Sequence, residues 1–194
     1  MEQLVKTKEK IILACEQLAM KDGRGFYNLS MEELAQVAGV SKRTIYRYFG
    51  SKEEVIEATV VQTMDKIELK NLELFASGTS IQELITALLK NVTYMVNQQV
   101  IEDLSTHYPF IWQKIDKIRQ SKVDLLINHL LSQSEIKMRW RVDPKIFKAS
   151  LLSAMTVVMT PRFVMESGMS LEEVGHDFLN MFLFGALERV HKEN

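Results

Sequence analysis

Cysteine and long apolar runs are scarce in this chain of 194 residues, and both absences narrow its function. The single cysteine, Cys15, excludes an internal disulfide and fits a reducing compartment. Its spacing from Ile11, Leu18 and Ala19 favours core packing over a redox-sensor role. No apolar run approaches about 18 residues, so no membrane span is predicted. Since the charged N-terminus is also unlike a signal peptide, we expect a cytoplasmic protein.

Motifs for catalysis and metal binding are also missing. The histidines, His107, His129, His176 and His191, have no metal-ligand spacing with one another or with Cys15. We find no nucleophile motif and no phosphate-binding loop, so neither an enzyme nor a resident cofactor is predicted. No stretch alternates with a period of two for long enough to form a strand, which predicts an all-α protein.

Charge is divided unevenly along the chain. Residues 1–52 contain nine Lys and Arg against six Asp and Glu, whereas the remainder contains fifteen against nineteen. The net charge of −1 hides this division. A basic region joined to an acidic one is typical of a DNA-binding protein whose other surfaces avoid DNA. We therefore predict a DNA-binding domain at 1–52 and a second domain at 53–194.

Two short helices at about 30–38 and 41–49, joined by a tight turn, form the most informative pattern. Ser30 can cap the first helix and Ser41 the second. Gly39 supplies the left-handed residue that a sharp turn requires. At about 1.5 Å per residue the second helix is about 13 Å long, which fits a major groove about 12 Å wide. This layout is typical of a helix-turn-helix motif.

The second of these helices carries groups suited to DNA. Four cations and no acid lie between Ser41 and Lys52, while Ile45 and Phe49 form an inner face. Cations and hydroxyls suit phosphates, and arginine suits guanine edges. The alternative is a helical hairpin with a solvated basic face. The candidate DNA-binding residues are Ser30, Ser41, Lys42, Arg43, Thr44, Tyr46, Arg47, Tyr48 and Lys52.

This segment resembles the tetracycline-repressor (TetR) family of transcriptional regulators. The resemblance covers about the first quarter of the chain and implies an all-helical homodimer with a ligand pocket in its C-terminal part. The matching residues are Ser30, Leu34, Ala35, Ala38-Gly39-Val40-Ser41, Thr44-Ile45-Tyr46, Tyr48-Phe49 and Ser51-Lys52-Glu53-Glu54-Val55.

The resemblance also implies roles for single residues. By that similarity either Lys42 or Arg43 contacts bases. Family members often have a small residue at the position of Arg43, so its base contact is inferred from arginine chemistry alone. The residues implied to contact phosphates are Ser41, Thr44, Tyr46, Tyr48 and Lys52.

The other helices are predicted from caps and hydrophobic periodicity. Pro161 falls late in one of them, where a kink or break is expected, and 135–142 is expected to be a charged loop. With the two short helices there are about nine. The remaining ranges are about 6–21, 52–75, 80–98, 100–105, 109–133, 143–166 and 170–190.

The second domain is expected to bind an effector, mainly because of the family resemblance. Methionines and aromatic rings can line a cavity for an apolar ligand, with ordinary core packing as the alternative. The acids Glu102, Asp103 and Asp116 are close to Tyr108 and Trp112 in sequence. They could hold a cationic ligand or could lie on a solvated helix face. The pocket candidates are Met95, Tyr108, Phe110, Trp112, Met155, Met159 and Phe163.

The last helix is apolar on every side and must therefore be buried on more than one side. Two final helices from each of two subunits could form a four-helix bundle. The alternative is that the same chain covers both sides. The interface candidates are Phe178, Met181, Phe182 and Gly185.

Together these patterns and the family resemblance predict a sequence-specific regulator, most simply a dimeric repressor that leaves a palindromic operator when a small apolar or amphipathic effector binds. The expected partners are double-stranded DNA, a second copy of the chain and the effector, with no membrane. The alternative function is a small-molecule-binding or protein-interaction module without specific DNA readout.

Overall fold

The computed structural model describes residues 2–77, 83, 98–132, 138–158 and 160–189. Nine α-helices lie in these ranges, which confirms the predicted all-α class. None of them is long and apolar enough to cross a membrane. In chain order they are α1 (Glu2–Cys15), α2 (Met31–Ala38), α3 (Lys42–Tyr48), α4 (Lys52–Ala76), α5 (Gln98–His107), α6 (Pro109–Ser132), α7 (Pro144–Val158), α8 (Pro161–Ser167) and α9 (Leu171–Ala186).

Most predicted helix boundaries are confirmed because their signals are local. The helix expected at 143–166 breaks at Pro161, where Thr160 accepts a hydrogen bond from the Phe163 amide and so caps α8. Pro161 lacks the amide hydrogen that a continuous helix would need. The helix predicted at 80–98 lies outside the described residues.

Two short strands correct the prediction at the end of the chain. The last helix ends at Ala186 instead of about 190, and β2 (Leu187–Arg189) pairs antiparallel with β1 (Met138–Trp140). The expected loop at 135–142 therefore contains a strand. Segments of three residues are too short to show alternation, and their pairing depends on a distant partner.

The first helix continues beyond α1 as a π-helix at Glu16–Lys21. The side chain of Glu16 is buried, and its carboxylate lies 2.7 Å from Lys66 Nζ on α4 and 3.3 Å from Lys21 Nζ. Burial opposes ionisation of Glu16, but the hydrogen bond and charge of Lys66, with help from Lys21, hold its pKa below the usual value. The wider helix thus carries an ion pair between a buried carboxylate and a partly exposed ammonium, and this pair joins the first helix to α4.

By packing, the chain divides into two units. The first contains Met1–Lys70 and Asn91–Ile115, and the second contains Asn71–Lys90 and Asp116–Asn194. This division differs from the predicted boundary at residue 52, because the first part of α4, together with α5, joins the first unit. The predicted boundary concerns function and remains a prediction.

The core of the first unit draws on α1 to α6. Ile11, Phe26, Leu34, Ile45 and Ile56 are fully buried in one cluster. Residues that α5 and α6 add to the same cluster are Val100, Leu104 and Ile111. The helix-turn-helix is therefore packed as part of a larger core, which limits how far it can move alone.

Cys15 lies in this core and is fully buried. Burial raises the pKa of its thiol to about 12, with a hydrogen bond to Thr59 acting in the opposite direction. A thiol that stays protonated at neutral pH is a poor nucleophile. This environment supports core packing over a redox role.

Candidate nucleic-acid interface

The turn between α2 and α3 is held by caps at both helix starts. Ser30 Oγ accepts a hydrogen bond from the Glu33 amide at 3.1 Å, and Ser41 Oγ accepts one from the Thr44 amide at 3.0 Å. Gly39 adopts a φ of 68°, the left-handed conformation predicted for it. The predicted helix-turn-helix geometry is confirmed.

Two apolar side chains anchor α3 against the core. Ile45 is fully buried, and Phe49, which ends the helix, is almost fully buried. They lie four residues apart and therefore on one face of the helix. Because this face is fixed, the opposite face is presented in a defined orientation.

The outer face of α3 carries the candidate contacts. Lys42, Arg43, Tyr46 and Arg47 are exposed, and Tyr48 is partly exposed. The Arg47 guanidinium lies 5.2 Å from the centre of the Tyr48 ring, close enough for a cation–π interaction. Exposed cations beside phenol groups can donate several hydrogen bonds to phosphates at once.

Acids on α2 hold two cations of this region. Lys42 forms an ion pair with Glu32, and Arg24 forms one with Glu33. The hydrogen bond between Lys42 and Glu32 lowers the pKa of the carboxyl and raises the pKa of the ammonium. The sequence shows the cations between Ser41 and Lys52 without their partners, and nothing in it links Lys42 to an acid ten positions earlier.

Replacing Glu32 by glutamine is expected to raise affinity for non-specific DNA by about two- to fivefold. Lys42 must leave Glu32 before it can bind a phosphate, and the neutral amide holds it less strongly. Fluorescence anisotropy with a labelled non-specific duplex at about 0.1 M salt measures the change, because surface charges are still effective there.

The matched control is the same change in a Lys42→Gln background. If Glu32 acts by holding Lys42, the gain should largely disappear in that background. An equal gain in both backgrounds would mean that the carboxylate repels DNA through its charge alone.

Lys52, a predicted phosphate contact, already makes a hydrogen bond within the protein. Its Nζ donates to the backbone carbonyl of Tyr27 at 2.8 Å, and its side chain is partly buried. Burial lowers the pKa of this ammonium, although nearby acids oppose the shift. Of its three N–H donors one is directed at Tyr27, and the other two are the ones that a phosphate could use.

Residues 20–59 match the family model described as "Bacterial regulatory proteins, tetR family". This range contains α2, the turn and α3 with its outer face. By this match residues 20–59 are a TetR-family DNA-binding segment. The match and the names of the relatives below indicate a DNA-binding transcriptional regulator.

One curated relative matches this chain along most of its length, and another matches less than half of it. The HTH-type transcriptional regulator YvaF of Bacillus subtilis (strain 168) is 22% identical over 185 residues, which are 91% of this chain and 94% of YvaF. BetI of Rhizobium meliloti, also an HTH-type transcriptional regulator, is 28% identical over 87 residues, 45% of this chain and 42% of BetI.

Solved structures of similar fold include the fatty acid degradation regulator FadR from Bacillus halodurans. It aligns with a TM-score of 0.63 at 18% identity and covers 91% of this chain and 94% of FadR. The reduced form of NemR from E. coli aligns with a TM-score of 0.61 at 19% identity, covering 94% and 98%. At these identities the alignments establish the fold of this chain and nothing beyond it.

A further cation, from α1, lies beside the end of α3. Lys8 Nζ lies 5.2 Å from the centre of the Phe49 ring, at the end of α3. From the sequence, the lysines of the first helix could contact phosphates or lie on a solvated helix face, and nothing in it places Lys8 beside α3. Packing of α1 against α2 brings it there.

The predicted pocket residues fall in both packing units of this protein. In the first unit Tyr108 is half-buried and donates to the Phe26 carbonyl at 3.5 Å, and Trp112 packs against the core. Phe110, by contrast, is 85% exposed. Burial raises the pKa of Tyr108 to about 12, so its hydroxyl remains a donor at neutral pH.

The other pocket candidates belong to the second unit or fall outside the described residues. Met155 is partly buried on α7, and Phe163 is exposed on α8. Met95 and Met159 lie outside the described residues. The pocket therefore stays a prediction for both units.

The structure contradicts both expectations for Asp103, which neither lies on a solvated helix face nor has an oxygen left for a cationic ligand. Its side chain is 2% exposed, and its two oxygens accept hydrogen bonds from the Tyr27 amide and Gln99 Nε2. Both oxygens are thus used inside the first unit. Glu102, its neighbour, is exposed as a solvated helix face would be.

The predicted interface residues of α9 differ in their surroundings. Phe178 is buried, and Phe182 lies 4.9 Å from its ring and 6.0 Å from that of Phe147 on α7. Met181 is 62% exposed, and Gly185 is exposed with open space beside it. Two of the four residues therefore pack within their own chain, and two face outward.

Proposed function

We propose that this TetR-family regulator is a homodimeric repressor of a palindromic operator, released by a small apolar or amphipathic effector bound within residues 53–194. The observation that carries the proposal is the orientation of α3. Its inner residues Ile45 and Phe49 are buried, and its outer face is cationic and exposed. The two properties together suit insertion into a major groove.

Readout of bases is assigned to the start of α3. Arg43 is exposed there, and an arginine at this end of a recognition helix can donate two hydrogen bonds to guanine. Lys42 can reach a base only after leaving Glu32. We therefore expect Arg43 to contribute more to sequence preference and Lys42 to contribute more to general affinity.

Dimerisation is proposed because α3 alone reads too few base pairs. Two copies of α3 about 34 Å apart would read two half-sites related by a two-fold axis. The outward-facing Met181 and Gly185 on α9 support an interface at that helix, since glycine allows close helix approach. The alternative without specific DNA readout would leave the basic face of α3 unexplained.

The effector is proposed to act by a population shift. We consider two states, one that engages both half-sites and one that cannot. An effector that binds the second state about 100-fold more tightly than the first weakens DNA binding by about 2.7 kcal/mol. Its chemical class is inferred from the methionine and aromatic candidates, of which Met155 is partly buried. Loss of one half-site removes about half of the phosphate contacts.

Replacing Tyr46 by alanine should weaken binding to operator and non-operator DNA by a similar factor, about five- to tenfold. The phenol is 43% exposed on the outer face of α3, where its hydroxyl can donate to a phosphate. Phosphate contacts position the protein without reading sequence. Titrations of both duplexes measure the two affinities.

Tyr46→Phe serves as the control, because it removes the hydroxyl and keeps the ring. A similar loss in Tyr46→Phe assigns the contact to the hydroxyl, whereas a loss confined to Tyr46→Ala assigns it to the ring. Unchanged binding in Tyr46→Ala would remove this residue from the interface.

The proposed function is tested by selection from a pool of random duplexes at about 0.15 M salt, where weak electrostatic binding is partly screened. A palindromic motif among the retained sequences is the expected result. Binding without an enriched motif, lost as salt rises, would contradict specific readout and favour the alternative module.

A further inference from the structure

We propose that Asp103 is a positioning residue for the DNA-binding surface, acting on Lys52 through the backbone of Tyr27. The inference rests on the proposed function, because it assigns Lys52 to a DNA phosphate. It concerns how a residue of α5, remote from α3 in sequence, determines the position of a cation at the start of α4.

One side of this arrangement is the buried carboxylate. Asp103 Oδ2 accepts a hydrogen bond from the Tyr27 amide at 2.7 Å, and Asp103 Oδ1 accepts one from Gln99 Nε2 at 2.8 Å. A carboxylate that is 2% exposed is costly unless it is hydrogen-bonded. Hydrogen bonds to an ionised acceptor are about twice as strong as neutral ones, so Tyr27 is held firmly.

The other side is the ammonium of Lys52. The carbonyl of Tyr27 accepts a hydrogen bond from Lys52 Nζ at 2.8 Å. The backbone amide and carbonyl of Tyr27 therefore connect the carboxylate of Asp103 to the ammonium of Lys52. Lys52 begins α4, shortly after α3 ends at Tyr48. A shift of Tyr27 would therefore move the lysine that is proposed to contact a phosphate.

The segment around Tyr27 is shaped for the carboxylate. Gly25 has a φ of +75°, and a Cβ at this position would lie 2.2 Å from Asp103 Oδ2. The Tyr27 ring stacks on His107 at 3.8 Å, and the Phe26 carbonyl accepts from Tyr108. Three consecutive residues, 25–27, are thus contacted by α5 or by the residue that follows it.

A purely structural role for Asp103 would give different results from a positioning role. If Asp103 only stabilises the fold, its removal lowers stability and leaves the affinity of the folded protein for DNA unchanged. If it positions Lys52, its removal changes both the reactivity of Lys52 and the affinity for DNA, and the second change depends on Lys52.

The first measurement compares acetylation of Lys52 in the full chain and in its Asp103→Ala variant by mass spectrometry. Lys10, an exposed lysine on α1, is the internal reference. We expect Lys52 to react several times faster relative to Lys10 in the variant. This readout needs no DNA, so it tests the inference even if the proposed function fails.

The second measurement is a double-mutant cycle on operator affinity with Asp103→Ala and Lys52→Gln. Asp103→Ala should weaken binding about tenfold, as expected when one charge-assisted hydrogen bond to DNA is lost. The same change in the Lys52→Gln background should have little effect. Asp103→Asn should restore most of the affinity, since an amide oxygen can accept from Tyr27 and Gln99 can turn to offer its oxygen.

Ile11→Val is the control for a general loss of stability, because Ile11 is fully buried in the core. It should lower the melting temperature without changing the reactivity of Lys52 or the affinity for DNA. If Asp103→Ala does not fold, Gln99→Ala takes its place, because it removes one of the two donors that fix the carboxylate.

Unchanged acetylation of Lys52 in the folded variant would overturn the inference, and so would equal losses of DNA affinity with and without Lys52. A wild-type chain that binds no DNA would overturn the proposed function, and the acetylation result would still decide whether Asp103 positions Lys52.

Discussion

Replacing Gly25 by alanine is expected to destabilise the first packing unit by about 3 kcal/mol, as left-handed strain of about 1–2 kcal/mol adds to overpacking of about 1–3 kcal/mol. The φ of +75° is unfavourable for any L-residue, and the new Cβ would meet Asp103 Oδ2 at 2.2 Å and Gln99 Cγ at 2.6 Å. Since Asp103 is buried, it has little space to withdraw. Urea denaturation followed by circular dichroism measures the loss.

Gly23→Ala is the matched control for this change. Gly23 has a φ of +73°, but a Cβ there would meet nothing within 4 Å. Because only the left-handed strain applies, Gly23→Ala should lower the free energy of unfolding by about 1–2 kcal/mol. Equal destabilisation by the two variants would mean that the contact with Asp103 relaxes easily. Asp103→Ala should partly rescue Gly25→Ala, because it removes the atom that the Cβ meets.

Replacing Met181 by glutamate is expected to convert the proposed dimer into monomers and to weaken operator binding by about 100-fold or more, because the second half-site is no longer held nearby. Met181 is 62% exposed on α9, so the charge is tolerated in a single chain but would be buried between two. Sedimentation velocity measures the assembly, and titration with operator DNA measures the affinity.

Met165→Glu is the control, since Met165 on α8 is 61% exposed and undergoes the same change in charge and shape. It should remain dimeric. A dimer of unchanged stability in Met181→Glu would refute an interface at this surface. Phe182 is less suitable for the test, because its ring packs on Phe147 and Phe178, and a charge there would disturb the fold of each chain.

The helix-turn-helix could be predicted because its signals are local. Ser30 and Ser41 accept hydrogen bonds from amides three residues later, and Gly39 makes its turn through its own backbone. Such interactions are encoded within a few positions. The apolar Ile45 and Phe49 likewise reveal their face by spacing alone.

Contacts between distant segments could not be predicted from the same patterns. Asp103 reaches Tyr27 across 76 positions, and Lys66 reaches Glu16 across 50. Asp103 looked like a solvated acid, because burial of a carboxylate depends on donors supplied by tertiary structure. The inward hydrogen bond of Lys52 was missed for the same reason.

For the predicted dimer interface and pocket, the sequence shows which residue types are involved but not where they lie. An apolar α9 indicates that burial occurs on several sides, but composition does not say which side a chain covers itself. The contact between the rings of Phe178 and Phe182 shows one side of α9 that the same chain covers, and Met181 lies exposed on another side. Pocket residues share only a chemical type, and they fall in both packing units.

The π-helix at Glu16–Lys21 holds one residue more than an α-helix of the same rotation would hold. Hydrogen bonds such as that from the Asp22 amide to the Gln17 carbonyl span five residues, so the extra residue is taken up within this segment. Deleting one residue here could therefore restore a regular α-helix and leave the preceding turns in nearly the same orientation. A deletion in the regular α1, after Lys8, would instead rotate everything before it by about 100°, and Lys8 would leave Phe49. We expect a single-residue deletion to be tolerated far better in the π-helix than in α1.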